Sequence, residues 1–275
     1  MLIDKKKRTI SLLRNFAPNL VVLGAQKCGT TSLHHYLGKH PDIFMSNPMK
    51  EPGYFQFEER AKDNWRRNGV EIASRNLLLE KYMLKGFNSE RYFGEASTVY
   101  TLKEQSRRFR IPEKMRSQNK NIKLLYIVRN PLARIVSAYN HEAKLPLFKN
   151  LSLSERFQMG DGLLRTSLYH YQISYYLQFI PRENVEIIVF EEFVEKTQKT
   201  MNRVYEFLGL DPFCNDSNFP ILNASRRGNE DSKIPIEIYD KIIGKVLKDV
   251  KDLEKIVGSQ PLSSWDMSRS KWAQN

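Results

Sequence analysis

Cysteine is nearly absent from this 275-residue chain: Cys28 and Cys214 are the two it has, too few for a disulfide framework and suited to a reducing compartment. Long apolar runs are missing as well. The longest uncharged stretch near the N-terminus, Asn15 to Gln26, is too short to cross a bilayer. The basic start also lacks the uninterrupted apolar core and small-residue cleavage site of a secretory signal. A cytoplasmic protein without a membrane span is therefore expected. Acidic residues are the scarcer charges, 31 against 44 lysines and arginines, for a formal charge of +13. Such a balance points to anionic partners, whether nucleic acid, a membrane surface, an acidic polymer or a phosphorylated cosubstrate. No recognised nucleic-acid module is visible, and after KKKR at Lys5 to Arg8 no run reaches the length of a basic tail, so nucleic acid is not expected as the partner.

What is present is a layered pattern. Short, almost wholly apolar runs occur at Leu20 to Gly24 (LVVLG), Ile122 to Val128 (IKLLYIV) and Val185 to Phe190 (VEIIVF), each followed by a helix candidate. Such runs read as parallel strands covered on both faces, hence an α/β fold. Helices are expected at Thr30 to Lys39, Leu132 to Ala143, Lys196 to Leu208 and Ile236 to Val257. The last has a long apolar stripe from Ile238 to Ile256. Loops are expected at Phe44 to Phe57, Leu145 to Leu151 and Asn215 to Asp231.

The first strand runs into GAQKCGTTSL, Gly24 to Leu33. Four residues separate Gly24 from Gly29, as in the nucleotide-gripping G-x-x-x-x-G-K-[ST], but Thr30 stands where lysine belongs and the lysine has moved to Lys27. A glycine turn leading from strand to helix presents backbone N–H groups and a positive helix end to an anion. Thr30, Thr31 and Ser32 add hydroxyl donors. The central strand then ends in Arg129-Asn130-Pro131, a cation where an ATPase would offer a magnesium-binding aspartate. Lys27 with Arg129 suits an additional anion in place of a metal.

These segments carry a resemblance. GAQKCGTTSL is similar to the 5′-phosphosulfate loop of sulfotransferases that use 3′-phosphoadenosine 5′-phosphosulfate (PAPS), and YIVRNPLARIVSAYNH, Tyr126 to His141, to their 3′-phosphate motif. KEPGYF at Lys50 to Phe55 resembles the segment bearing the catalytic glutamate in bacterial and heparan-sulfate-type members. GEASTVY at Gly94 to Tyr100 and the late Trp265 are also family-like. The ordered set spans about Leu20 to Trp265. It implies a single α/β domain over 20–265, with a P-loop-like central parallel sheet of about five strands flanked by helices, a basic extension over 1–19 and a tail over 266–275.

By this resemblance Lys27 contacts the sulfate and bridging oxygen, the loop from Cys28 and Gly29 through Ser32 cradles the 5′-phosphate, and Arg129 and Ser137 hold the 3′-phosphate. Arg226, Arg227 and Gly228, in the loop NASRRG, would close over the nucleotide. Glu51 is the expected general base, with Glu95 as the rival carboxylate. Ala96 stands where heparan-type members commonly have lysine. Tyr169 is the first candidate for an acceptor contact, within an aromatic cluster that helical spacing would otherwise assign to the core, and His34 and His35 read as packing or surface residues. The implied reaction moves a sulfuryl group from PAPS to an acceptor oxygen or nitrogen without a metal, leaving adenosine 3′,5′-bisphosphate (PAP). The acceptor is expected to be a small secondary metabolite such as an alkaloid or polyketide, with a carbohydrate or glycolipid as the alternative. A kinase-like nucleotide transferase and a non-catalytic anion-binding adaptor are the competing classes. Gln56 to Lys85 and Leu145 to Leu163 are expected to shape the acceptor pocket, and the sequence leaves the oligomeric state open.

Overall fold

The computed structural model describes residues 16–56, 74–213 and 233–274. Five parallel strands form the central sheet: β1 Leu20–Gly24, β2 Ile43–Met45, β3 Tyr92–Glu95, β4 Lys123–Val128 and β5 Val185–Val189, in the order β2-β3-β1-β4-β5. Every residue of β1 is buried, and β4 is buried throughout except at Lys123. The apolar runs thus mark the strands with helices on both faces. Two strands escaped the sequence reading. β2 overlaps the start of the stretch expected as a loop at 44–57, and β3 is only four residues long with a glycine in it. Both are too short for apolar periodicity to reveal them.

The principal helices are α1 Thr30–Leu37, α2 Pro131–Glu142, α3 Tyr169–Tyr176, α4 Thr197–Phe207 and α5 Ile236–Val257. The stripe on α5 faces inward, with Ile238, Ile242, Val246, Val250 and Leu253 buried. Its Asp249 accepts hydrogen bonds from the backbone N–H groups of His170 and Tyr171 at 3.0 and 2.8 Å, fixing the start of α3. The segment expected as a tail is folded onto the domain. Residues Arg269–Trp272 form a helical turn, and β7 Ala273–Gln274 pairs in parallel with β6 Ile234–Pro235. Among the described residues no helix is long and apolar enough to cross a membrane. The N-terminal residues 1–15, part of the insert expected at 56–85, Cys214 and all of the late loop expected at 215–231 lie outside the described residues.

Candidate active site

At the end of β1 the chain turns through Ala25–Gly29 into α1. Gly29 occupies the N-cap with φ 89° and provides no side-chain acceptor, so the first-turn N–H groups remain available to a bound anion. A side chain at Gly29 would be strained by that backbone, and its Cβ would lie 2.9 Å from the Phe190 ring. Glycine is therefore required here by conformation and by space. Thr30 is buried, and its hydroxyl oxygen accepts a hydrogen bond from Lys50 Nζ at 3.2 Å. Ser32 is buried and Thr31 exposed on the same turn.

At the neighbouring strand end, Asn130 caps α2 by accepting from the Leu132 and Ala133 N–H groups at 3.0 and 3.2 Å, and Pro131 sits in the first turn, where its missing N–H costs nothing. Capping places Arg129 just before the helix and Ser137 one and a half turns into it. The Arg129 guanidinium lies 4.9 Å from the Phe190 ring and donates to the Lys27 carbonyl at 3.5 Å. Lys27, Arg129 and Ser137 all line one cleft of about 280 Å³. The structure therefore brings Lys27 together with Arg129 and Ser137, from which it is distant in sequence.

Sequence reasoning missed several walls of this cleft. Asn140, His141 and Lys144 follow Ser137 at spacings of three, four and seven, the period of one helical face. Projecting the Ser137 face one turn further would have found Asn140 and His141, whereas Lys144 lies two residues past the end of α2. Lys271 and Trp272, from the segment read as a tail, also line it, and no local signal announces them. Four cationic side chains thus face one cleft carboxylate, Glu191. That carboxylate already accepts from the Asn130 N–H and from Trp265 Nε1, both at 2.9 Å.

This crowding has an electrostatic signature. Burial first, then Lys144, Arg129 and Arg134, push the Lys27 ammonium pKa below its ordinary value. Burial and the same lysines, Lys27 and Lys144, lower that of His141. Asn140 Nδ2 is buried without a hydrogen-bond partner among the described residues. A donor-rich cleft with mutually repelling cations and an unmet buried N–H fits a polyanion, and PAPS is one.

The remaining candidates divide. Glu51 does not line the cleft. It lies on the exposed side of KEPGYF, paired with Lys50 at 2.9 Å and accepting from the Thr98 N–H at 3.3 Å and its hydroxyl at 3.0 Å. Lys50 thus links the Glu51 carboxylate to Thr30 at the start of α1. Glu95 is fully buried at the end of β3 and accepts from the Ser97 and Tyr100 hydroxyls. Burial raises its pKa to about 7, and no surface is left for an acceptor to touch.

Tyr169, expected on the acceptor side, is also fully buried. Its hydroxyl accepts from the Arg129 N–H at 3.3 Å and lies 3.6 Å from Cys28 Sγ. It supports the loop after β1 from beneath, so the core assignment of the aromatic cluster holds for it. Cys28 is buried against that hydroxyl, and burial lifts its thiol to about 11. Only its backbone can serve the loop. His34 is partly buried, its pKa lowered to about 4 by burial and then by Lys50, while His35 is exposed. Arg226, Arg227 and Gly228 lie outside the described residues.

Comparison with known proteins gives the family. The family described as "Sulfotransferase domain" matches residues 17–231. Over 223 residues, 76% of this chain, the sequence is 25% identical to heparan sulfate glucosamine 3-O-sulfotransferase 5 of Mus musculus, covering 58% of that protein. It is 24% identical over 217 residues, again 76% of the chain, to heparan sulfate glucosamine 3-O-sulfotransferase 6 of Homo sapiens, covering 57% of it. The chain spans about half the length of the curated relatives it matches. Among solved structures, a crystal structure of a sulfotransferase from Alicyclobacillus acidocaldarius superposes with a TM-score of 0.68 at 26% identity, covering 91% of this chain and 99% of that one. With the displaced lysine, the strand-end arginine and the helix serine on one cleft, and the family match across most of its length, this chain belongs to the PAPS-dependent sulfotransferase family.

Proposed function

We propose that the protein transfers a sulfuryl group from PAPS to an acceptor hydroxyl, with Lys27, Arg129 and Ser137 holding the donor and Glu51 as the general base. The observation that carries this reading is the convergence of Lys27, Arg129 and Ser137 on one cation-rich cleft beside the uncapped start of α1. PAPS supplies the sulfuryl group and a phosphate as its leaving group. Lys27 places a fixed cation where charge develops on that leaving phosphate, which favours the transition state over the ground state. Its depressed pKa reflects a repulsion that a bound anion relieves. The first-turn N–H groups after Gly29 orient the 5′-phosphate, and Arg129 with Ser137 would hold the 3′-phosphate. Glu51, held by Lys50 and Thr98, would take the acceptor proton.

The acceptor divides into two readings. A small secondary metabolite is the expectation from sequence. A sugar hydroxyl draws support from the curated relatives, which are named for glucosamine 3-O-sulfation in heparan sulfate, and from the +13 charge, which would attract an acidic polymer. We adopt the sugar reading.

Titration calorimetry with PAP, and with ATP in the presence and absence of magnesium, tests the donor assignment. PAP should bind at least about tenfold more tightly, and a preference for magnesium-ATP would overturn the sulfotransferase reading in favour of a kinase-like one. Sulfate transfer from PAPS should then appear on glucosamine-containing oligosaccharides, whereas turnover confined to phenolic or alkaloid hydroxyls would return the acceptor to the metabolite class.

A further inference from the structure

Two walls of the donor cleft come from residues beyond the last family-like position, Trp265. Lys271 and Trp272 line the same cleft as Arg129 and Ser137, and the segment that presents them is tied down along its length. Asp266 is anchored to the strand end: its carbonyl accepts from Asn130 Nδ2 at 3.1 Å, next in sequence to Arg129, and from Trp272 Nε1 at 2.7 Å. The Met267 carbonyl accepts from the Tyr239 hydroxyl at 2.8 Å, and Arg269 pairs with Asp240 at 2.9 Å. Beyond them, Ala273 and Gln274 pair with Ile234 and Pro235. The strap is thus fixed to α5, to β6 and to the end of β4.

Lys271 itself is differently placed. Its side chain is about half exposed, and among the described residues its ion-pair partner, Asp266, stands 4.0 Å away at the limit of such a pair. The ammonium lies 5.7 Å from the buried Trp272 ring. Such a partner leaves the ammonium's donors largely to solvent or to a ligand. A phosphomonoester carries roughly −1.5 to −2 charge near neutral pH, more than one arginine neutralises.

Resting on the sulfotransferase reading above, we propose that Lys271, presented by the strap from Asp266 to Gln274, is a further ligand of the donor's 3′-phosphate. Selectivity for the 3′-phosphorylated nucleotide then depends on a residue outside the family motifs. Arg129 and Lys271 grip one phosphate from two segments, which the Asn130 to Asp266 hydrogen bond holds together.

The test is titration calorimetry of the full chain and its Lys271→Ala and Lys271→Arg variants with PAP and with adenosine 5′-monophosphate, which lacks the 3′-phosphate. Lys271→Ala should weaken PAP about tenfold while changing the monophosphate less than about twofold, and Lys271→Arg should restore most of the loss. Equal weakening of both nucleotides, or none, would overturn the role of Lys271. If the unaltered protein itself shows no preference for PAP, the donor reading falls together with this proposal. An intact preference that survives in Lys271→Ala removes this proposal alone.

Discussion

At the scale of single residues, the two candidate carboxylates have opposite surroundings, one exposed and one buried. Glu51 is exposed, held by Lys50 and Thr98, and able to meet an acceptor. Glu51→Gln should lower kcat by about 10²- to 10³-fold with PAP affinity nearly unchanged; a parallel loss of both in kinetics and calorimetry would remove Glu51 as the base. Glu95 is buried and titrates near 7 in the folded protein, against an ordinary value of 4.5. Its folded pKa is raised, so the native state binds the extra proton. The stabilisation is complete below about 4.5 and is lost as the pH rises through about 7, amounting to roughly 3 kcal/mol. Urea denaturation of the protein and of Glu95→Gln, which cannot titrate there, should therefore show the variant gaining relative stability between pH 5 and pH 8. A constant difference across that range would refute the shifted pKa. As a candidate base Glu51 was legible because its motif is local. The role of Glu95 was not, since nothing in GEAS reveals that Ser97 and Tyr100 fold back onto it.

Elements decide how well the donor loop is held. Arg134 on α2 is almost fully buried, and its guanidinium donates to the Gln26 carbonyl at 3.2 Å, the Leu163 carbonyl at 2.8 Å and the Ser167 hydroxyl at 2.9 Å, with Thr166 as a further partner. It pins the loop between β1 and α1 to α2 and to the segment that precedes α3. Arg134→Met would leave those acceptors buried and unmet, so a loss of about 2–4 kcal/mol in urea denaturation is expected, together with a raised KM for PAPS. A loss below about 0.5 kcal/mol would mean that water or a neighbour replaces the guanidinium. Sequence periodicity located α2 within a residue at each end and α5 at both ends, because long amphipathic stripes survive any tertiary setting. It could not show that a residue between Arg129 and Ser137 clamps the loop, because that function depends on the Gln26 carbonyl, 108 residues away in the chain.

For the whole molecule, the residues proposed to hold the donor were readable as motifs and the far wall of their cleft was not. The loop after β1 and the start of α2 are each a strand, a turn and a helix in succession, so motif spacing maps directly onto geometry. Lys271 and Trp272 reach the same cleft through tertiary contacts alone, among them the pairing of β6 with β7 and the hydrogen bonds to the Asp266 and Met267 carbonyls. The strand order carries a consequence for biosynthesis. β1, the first strand made, sits in the middle of the sheet between β3 and β4, and both neighbours are synthesised after it. A ribosome adding about 5–20 residues per second leaves LVVLG without its second partner for roughly 5–20 s. During that interval the segment that will carry the donor loop is an apolar strand with unpaired edges, the kind of nascent sequence that chaperones retain; slower synthesis at low temperature lengthens the exposure while weakening the hydrophobic attraction that drives mispairing.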